Sequence, residues 1–215
     1  MADRIVALMR DQIVGLLLAG GLARRMGGGD KCLRPLAGRP MLAHIIERMA
    51  PQCRELVLNA NGDPARFAGF HLAITPDSVA GFAGPLAGVL AGMDWAAIYA
   101  PVCPLILSVP TDAPFLPRDL AVRLHAACAS EAADIAFAAS SGQQHPVVGL
   151  WPVALREDLR RALVDENIRK VDLWTARYRL AVVDFAIDSI DPFFNANRPE
   201  DLAEAEAILA GRAAG

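Results

Sequence analysis

The stretch from Ile13 to Lys31 constrains this chain more than any other. It reads Ile13-Val14-Gly15-Leu16-Leu17-Leu18-Ala19-Gly20-Gly21-Leu22-Ala23-Arg24-Arg25-Met26-Gly27-Gly28-Gly29-Asp30-Lys31. An apolar strand opens directly into a glycine-rich loop that carries three cations. Glycine admits positive φ and lets backbone approach a ligand closely. Successive backbone N–H groups in such a loop form an anion-binding concavity. Arg24, Arg25 and Lys31 add fixed positive charge beside it. That combination suits a nucleoside triphosphate, whose phosphates concentrate negative charge in a small volume. An ordinary turn with solvated arginines is the plainer alternative, but turns seldom need this much glycine and charge together.

Two common phosphate loops do not fit. Walker A requires Gly before its Lys and Ser or Thr after it; here Asp30 precedes Lys31 and Cys32 follows. The dinucleotide fingerprint requires G-x-G-x-x-G, a spacing that Gly20, Gly21 and Gly27 do not give.

Apolar runs alternate with amphipathic stretches along the rest of the chain, which predicts an α/β fold. Strands are expected at 13–18, 55–59, 71–74, 105–109, 134–139, 147–151 and 180–185. Helices are expected at 41–49, with Pro40 at the first helical position, and at 85–99, 116–129, 153–164 and 199–209. The first four strands end at the glycine-rich loop, Asn59, Asp77 and Asp112. In a mostly parallel sheet these ends share one edge, where ligands of open α/β sheets bind.

That placement gives each polar residue a candidate role. Lys31 and Arg25 are candidate phosphate cations, lysine as a point charge and arginine as a fork. Asp112 follows the strand Leu105-Ile106-Leu107-Ser108-Val109. A lone carboxylate there can hold Mg²⁺ against a triphosphate, because Mg²⁺ takes carboxylate, phosphate and water oxygens. Four residues separate it from Pro117, too many for a simple helix cap. Asn59 and Asp77 are placed to accept hydrogen bonds from a nucleobase, although each also reads as a turn residue.

Length and composition bound the partners. At 215 residues the chain fits one domain, able to bury roughly 70% of its unfolded surface. Hydrophobic residues at 54% describe a rich core and not a disordered chain. A net charge of −3 argues against nonspecific nucleic-acid binding; a basic loop in an acidic chain points to a small anionic ligand. The apolar run 13–23 is shorter than the ~20 residues that cross a bilayer, so no membrane partner is expected. Residues 1–12 read as a poorly ordered leader and 13–215 as a single domain. Cys32, Cys53, Cys103 and Cys128 form no C-x-x-C pair, as expected of reduced thiols in a cytoplasmic protein. Lys31 could lower the pKa of Cys32, but a catalytic thiol is not expected. His44, His71 and His125 show no metal-ligand spacing.

The pattern L-A-G-G-x-x-R-R-M-G-G-x-D-K, met here from Leu18 to Lys31, resembles the signature of nucleotidyltransferases that activate small phosphorylated molecules. With Ala-Gly-Gly and Gly-x-Asp-Lys it is similar to the molybdenum cofactor guanylyltransferases; the related cytidylyltransferases usually have Ala-Ala-Gly. Further resemblance lies in Val109-Pro110-Thr111-Asp112-Ala113-Pro114-Phe115, in Gly84-Pro85-Leu86-Ala87-Gly88, and in Phe193-Phe194-Asn195-Ala196-Asn197-Arg198-Pro199-Glu200-Asp201-Leu202, where Arg198 replaces the usual Thr.

The resemblance implies a three-layer α/β fold of Rossmann-like nucleotidyltransferase type, with a mostly parallel central sheet and helices on both faces. It implies transfer of GMP from GTP to the terminal phosphate of molybdopterin, with Mg²⁺ and release of pyrophosphate. The product would pass to a molybdoenzyme or its chaperone. Implied nucleotide contacts are Leu18, Ala19, Gly20, Gly21, Lys31, Asn59, Asp77, Gly84 and Asp112. Asp112 and Asn197 are the implied metal residues, Asn197 also being placed to cap the last helix. Arg25, Lys31 and Asp112 would carry the catalysis, and His145-Pro146 would lie near the second substrate. The alternatives are a molybdopterin cytidylyltransferase or sugar-phosphate nucleotidyltransferase of the same fold, and a non-catalytic nucleotide-binding module.

Overall fold

Strand β1 (Ile13–Leu18) is buried along its whole length, paired at both edges and covered on both faces. Its neighbours are β4 (Glu55–Asn59) and β6 (Leu105–Pro110), both parallel to it. Central parallel strands are covered on both faces, so they read as unbroken apolar runs. The computed structural model describes residues 7–20, 30–79, 81, 84–188 and 190–213. Its main sheet has seven strands in the order β5-β4-β1-β6-β8-β7-β9. Here β5 is Ala73–Thr75, β7 Ile135–Ser140, β8 Gln143–Pro152 and β9 Leu180–Asp184. Four strands, β5, β4, β1 and β6, run parallel in register. β8 is antiparallel to both β6 and β7, and β9 is parallel to β7. A small hairpin, β2 (Pro35–Leu36) with β3 (Arg39–Pro40), stands apart.

The period-two alternation of β1 divides the core. Ile13 and Leu17 point to one face, Val14, Leu16 and Leu18 to the other. The first face is covered by α1 (Met41–Met49), α3 (Leu120–Glu131) and α6 (Pro199–Ala213), through Met41, Ile45, Met49, Leu120, Leu124 and Ala205. The second is covered by α2 (Pro85–Tyr99), α4 (Arg156–Val164) and α5 (Val171–Thr175), through Leu86, Val89, Leu90, Met93, Leu159 and Trp174. The three-layer architecture is therefore as expected, with the sheet mixed at its β8 end.

Local differences have local causes. α3 begins at Leu120 and not near Leu116, with Asp119 as its N-cap; Pro117 lies just ahead. Pro40 is the N-cap of α1, held in β3, and not its first helical residue. β8 extends to Gln143 because it folds back on β7 through Ser141-Gly142, both at positive φ, a hairpin turn whose twist matches the strands. Among residues 7–12, counted with the leader above, 7–10 are helical, Met9 is buried, and Arg10 Nε donates to Cys53 O at 3.0 Å. No helix among the described residues is long and apolar enough to cross a membrane.

Candidate active site

The parallel strands β1, β4, β5 and β6 deliver their carboxyl ends to one edge, and short bonds lace those ends together. Ala19 N donates to Asn59 O at 2.9 Å, Ala60 N to Thr75 O at 3.1 Å, and Thr111 N to Leu18 O at 3.2 Å. The buried Thr111 hydroxyl donates to Leu18 O as well, at 3.1 Å. Above this edge lies a cavity of about 420 Å³. Of the residues singled out in the sequence, Leu18, Gly20, Lys31, Asn59, Asp77, Gly84 and Asp112 line it. Ala19 is buried beside it. Gly21 and Arg25 lie outside the described residues.

One wall is cationic and acidic at once. The Lys31 ammonium, only 8% exposed, donates to Asp112 Oδ2 at 2.6 Å and to Asn197 Oδ1. Lys31 and Asp112 are 81 positions apart, Lys31 and Asn197 166. The late segment is fixed to the site by backbone, since Ala196 N donates to Asp112 O at 2.9 Å. The Asn197 side chain is turned to Lys31 and does not cap α6. The turn into α6 is held by Asp201, whose Oδ2 accepts from Asn197 N at 2.7 Å and Arg198 N at 2.8 Å.

The other carboxylate oxygen of Asp112, Oδ1, is buried with no hydrogen-bond partner among the described residues. A buried anionic oxygen without a donor is costly, and a hard divalent cation is the natural partner for it. No cluster of three or more His, Cys, Asp or Glu suited to a metal occurs among the described residues. The oxygens gathered there, the Asp112 carboxylate and the Asn197 amide oxygen, suit a hard divalent cation that completes its shell from phosphate and water.

The opposite wall is polar and neutral apart from one carboxylate. Asn59 Nδ2 donates to Thr75 O at 3.2 Å and Asp77 Oδ1 at 3.0 Å. Asn61 Nδ2 donates to Asp77 Oδ2 at 2.8 Å, and Asp77 N donates to Asn61 Oδ1 at 2.9 Å. Asn59 is 5% exposed, and both its amide protons are used, which leaves its oxygen as an acceptor beside Gly88. α2 enters here through Gly84, at φ +144°, with Pro85 at its first position. The helix N-terminus favours anions.

A second cavity of about 250 Å³ adjoins the first and shares Pro110, Asp112 and Val147 with it. His145, Phe193 and Asn195 line it. The Ser140 hydroxyl lies 2.7 Å from His145 Nε2 and donates to Asp191 Oδ2 at 3.0 Å. The His145 ring packs 4.7 Å from Phe193. Burial holds this imidazole below its usual pKa, against the opposing pull of Asp191.

Sequence reasoning missed Asn61, which fixes Asp77. Its signal was the polar alternation Asn59-Ala60-Asn61 at a strand end. It also missed Thr111, a buried hydroxyl whose role depends on pairing with β1. Lys31 does not activate Cys32: burial dominates and pushes that thiol up to about 11. All four cysteines are free.

Comparison with known proteins follows this geometry. A family model described as MobA-like NTP transferase domain matches residues 15–178. The chain is 64% identical over 198 residues to a molybdenum cofactor guanylyltransferase of Bradyrhizobium sp. (strain ORS 278), covering 92% of this chain and 93% of that one. It is 62% identical over 193 residues to a molybdenum cofactor guanylyltransferase of Rhodopseudomonas palustris (strain BisB5), covering 90% and 92%. Among solved structures, molybdopterin-guanine dinucleotide biosynthesis protein A from Archaeoglobus fulgidus superposes with a TM-score of 0.70 at 20% identity, covering 92% of this chain and 99% of that one. A glycine-rich strand exit, a parallel edge laced around one cavity, and relatives matched over nine-tenths of the chain all agree: this chain belongs to the MobA-like nucleotidyltransferases, in the family of the molybdenum cofactor guanylyltransferases.

Proposed function

We propose that this enzyme transfers GMP from GTP to the terminal phosphate of molybdopterin, yielding the guanine dinucleotide cofactor and pyrophosphate, in the cytoplasm. The observation that carries the reading is the convergence of Lys31, Asp112 and Asn197 on one wall of the cavity whose other wall holds Asn59 and Asp77. The first wall suits phosphates and the second suits a base.

Guanine presents N1–H and N2–H₂ donors. The Asn59 amide oxygen and the Asp77 carboxylate are acceptors of the matching kind, and Asn61 holds the carboxylate in place. The α-phosphate then falls between the walls, toward the adjoining cavity where the second substrate would enter. A phosphate monoester is largely ionised near neutral pH, so the acceptor needs no dedicated base. Its oxygen attacks the α-phosphorus in line; a P–O bond forms there as the bond to the β-phosphate oxygen breaks, and pyrophosphate leaves. Catalysis rests on positioning and on neutralising the charge of the departing group. Lys31 supplies positive charge for that purpose. Asp112, aided by Asn197, would hold Mg²⁺, which supplies Lewis-acid charge stabilisation when bound. Delivery of the product to a molybdoenzyme or its chaperone completes the reading.

The test is pyrophosphate release with Mg²⁺, molybdopterin and each of GTP, CTP and ATP. Release with GTP in excess over the others is expected. Equal or greater release with CTP would overturn the base assignment, and no release with any nucleotide would overturn the enzymatic reading.

A further inference from the structure

Asp30 sits at the N-cap of the short 3₁₀ turn Lys31–Leu33, yet its side chain makes no capping bond. Aspartate at an N-cap ordinarily accepts from the backbone of the turn it starts. Here its carboxylate is ion-paired instead: Asp30 Oδ2 is 2.6 Å from Arg66 Nε, close but not aligned as a hydrogen bond, so that buried Nε has no hydrogen-bond partner among the described residues; the Asp30 side chain is 13% exposed and that of Arg66 29%. Arg66 comes from a separate element, the 3₁₀ segment Pro64–Phe70 that follows β4. Its remaining nitrogens are committed to the base side of the cavity. Nη1 donates to Asp63 O at 2.7 Å and Nη2 to Asn61 O. The guanidinium lies 4.7 Å over the ring of Phe67, which is buried in the core.

These contacts form one chain across the site. Asp77 is held by Asn61 and the Asn61 carbonyl by Arg66 through hydrogen bonds, Arg66 is ion-paired with Asp30, and the next residue is Lys31. We propose that Arg66 is a positioning residue for nucleotide binding, which locks the end of the glycine-rich loop to the base-reading turn and so fixes where Lys31 meets the phosphates. An arginine suits this task because the two Nη atoms of its planar fork bond the Asp63 and Asn61 carbonyls in fixed directions while its charge pairs with Asp30, which a lysine cannot reproduce. The pair is mostly shielded from solvent and anchored at both ends, unlike exposed ion pairs that contribute little.

The inference rests on reading Lys31 as a phosphate cation, and the experiment separates the two. Calorimetry measures GTP and GMP affinity for the unmodified protein and for Asp30→Asn, Arg66→Gln, the double variant combining these two, Arg66→Lys and Lys31→Gln. Asp30→Asn removes the ion pair while leaving the bonds of Arg66 to Asn61 and Asp63 in place. If Arg66 acts through Lys31, Asp30→Asn and Arg66→Gln each lower the GTP-to-GMP affinity ratio by about tenfold, and the double variant is no worse than the weaker single one. Arg66→Lys restores less than half of the loss. A purely structural role would weaken GTP and GMP alike, or act additively, and either result overturns the proposal. An unchanged ratio in Asp30→Asn overturns it too if Lys31→Gln lowers the ratio. An unchanged ratio in Lys31→Gln overturns the phosphate reading of Lys31, and this proposal with it.

Discussion

Gly88 and Gly92 lie one turn apart on α2 and face different neighbours, so one methyl group at each tests how the nucleotide wall is built. A Cβ at Gly88 would sit 2.5 Å from Asn59 Oδ1 and 2.6 Å from Leu18 Cδ2; one at Gly92 would sit 2.5 Å from Leu16 Cδ2. Restoring ordinary contact near 3.5 Å requires a shift of about 1 Å in either case. Overpacking of this kind costs about 1–3 kcal/mol, and alanine returns about 1 kcal/mol of helix propensity. Both variants should therefore lose about 0–2 kcal/mol of stability, a fall in Tm of at most about 8 °C for a chain of this size. They should part company on binding. Gly88→Ala pushes the Asn59 amide off its partners Asp77 and Thr75, and GTP affinity should fall about tenfold, the equivalent of one such hydrogen bond. Gly92→Ala displaces only a core leucine and should leave affinity within about twofold. Calorimetry with GTP, alongside thermal unfolding, checks the pair. Equal affinity in the two variants would refute the argument that Asn59 reads the nucleotide.

Asp112→Ala should leave a folded protein whose turnover is reduced by about 10³-fold or more, measured by pyrophosphate release; near-normal turnover would remove Asp112 from the mechanism. Ser108 is fully buried, accepting from Trp151 Nε1 and donating to Val147 O, both at 2.7 Å. Ser108→Ala strands the indole N–H and should cost about 1–3 kcal/mol in denaturant unfolding, with GTP affinity unchanged. His145 has its folded pKa depressed by burial, so the unfolded chain binds more protons and stability rises with pH. The stabilisation is present above the ordinary histidine value of 6.5 and is lost as pH falls through it. Between pH 7.5 and 5.5 the wild-type protein should lose more Tm than His145→Asn; parallel losses would show that the imidazole does not titrate against the fold.

The sequence by itself determined the elements whose hydrophobic period is unambiguous. β1, β4 and α1 fall where the apolar spacing places them, because burial of a strand on two faces or a helix on one stripe leaves a pattern any window can read. The two-residue hairpin β2–β3 and the five-residue α5 left no such pattern. The polar start of β8 is strand only because β7 lies beside it. The site divides the same way. Glycine and charge after β1 marked a candidate phosphate loop, and the strand ends named Asn59, Asp77 and Asp112, which line the cavity. Only the tertiary structure decided that the Lys31 ammonium meets Asp112 and Asn197, and that Arg66 reaches Asp30. Those pairings join segments far apart in the chain. Sheet order and the packing of α6 on the core bring them together, and no local propensity encodes a contact between residues that only the finished sheet makes neighbours.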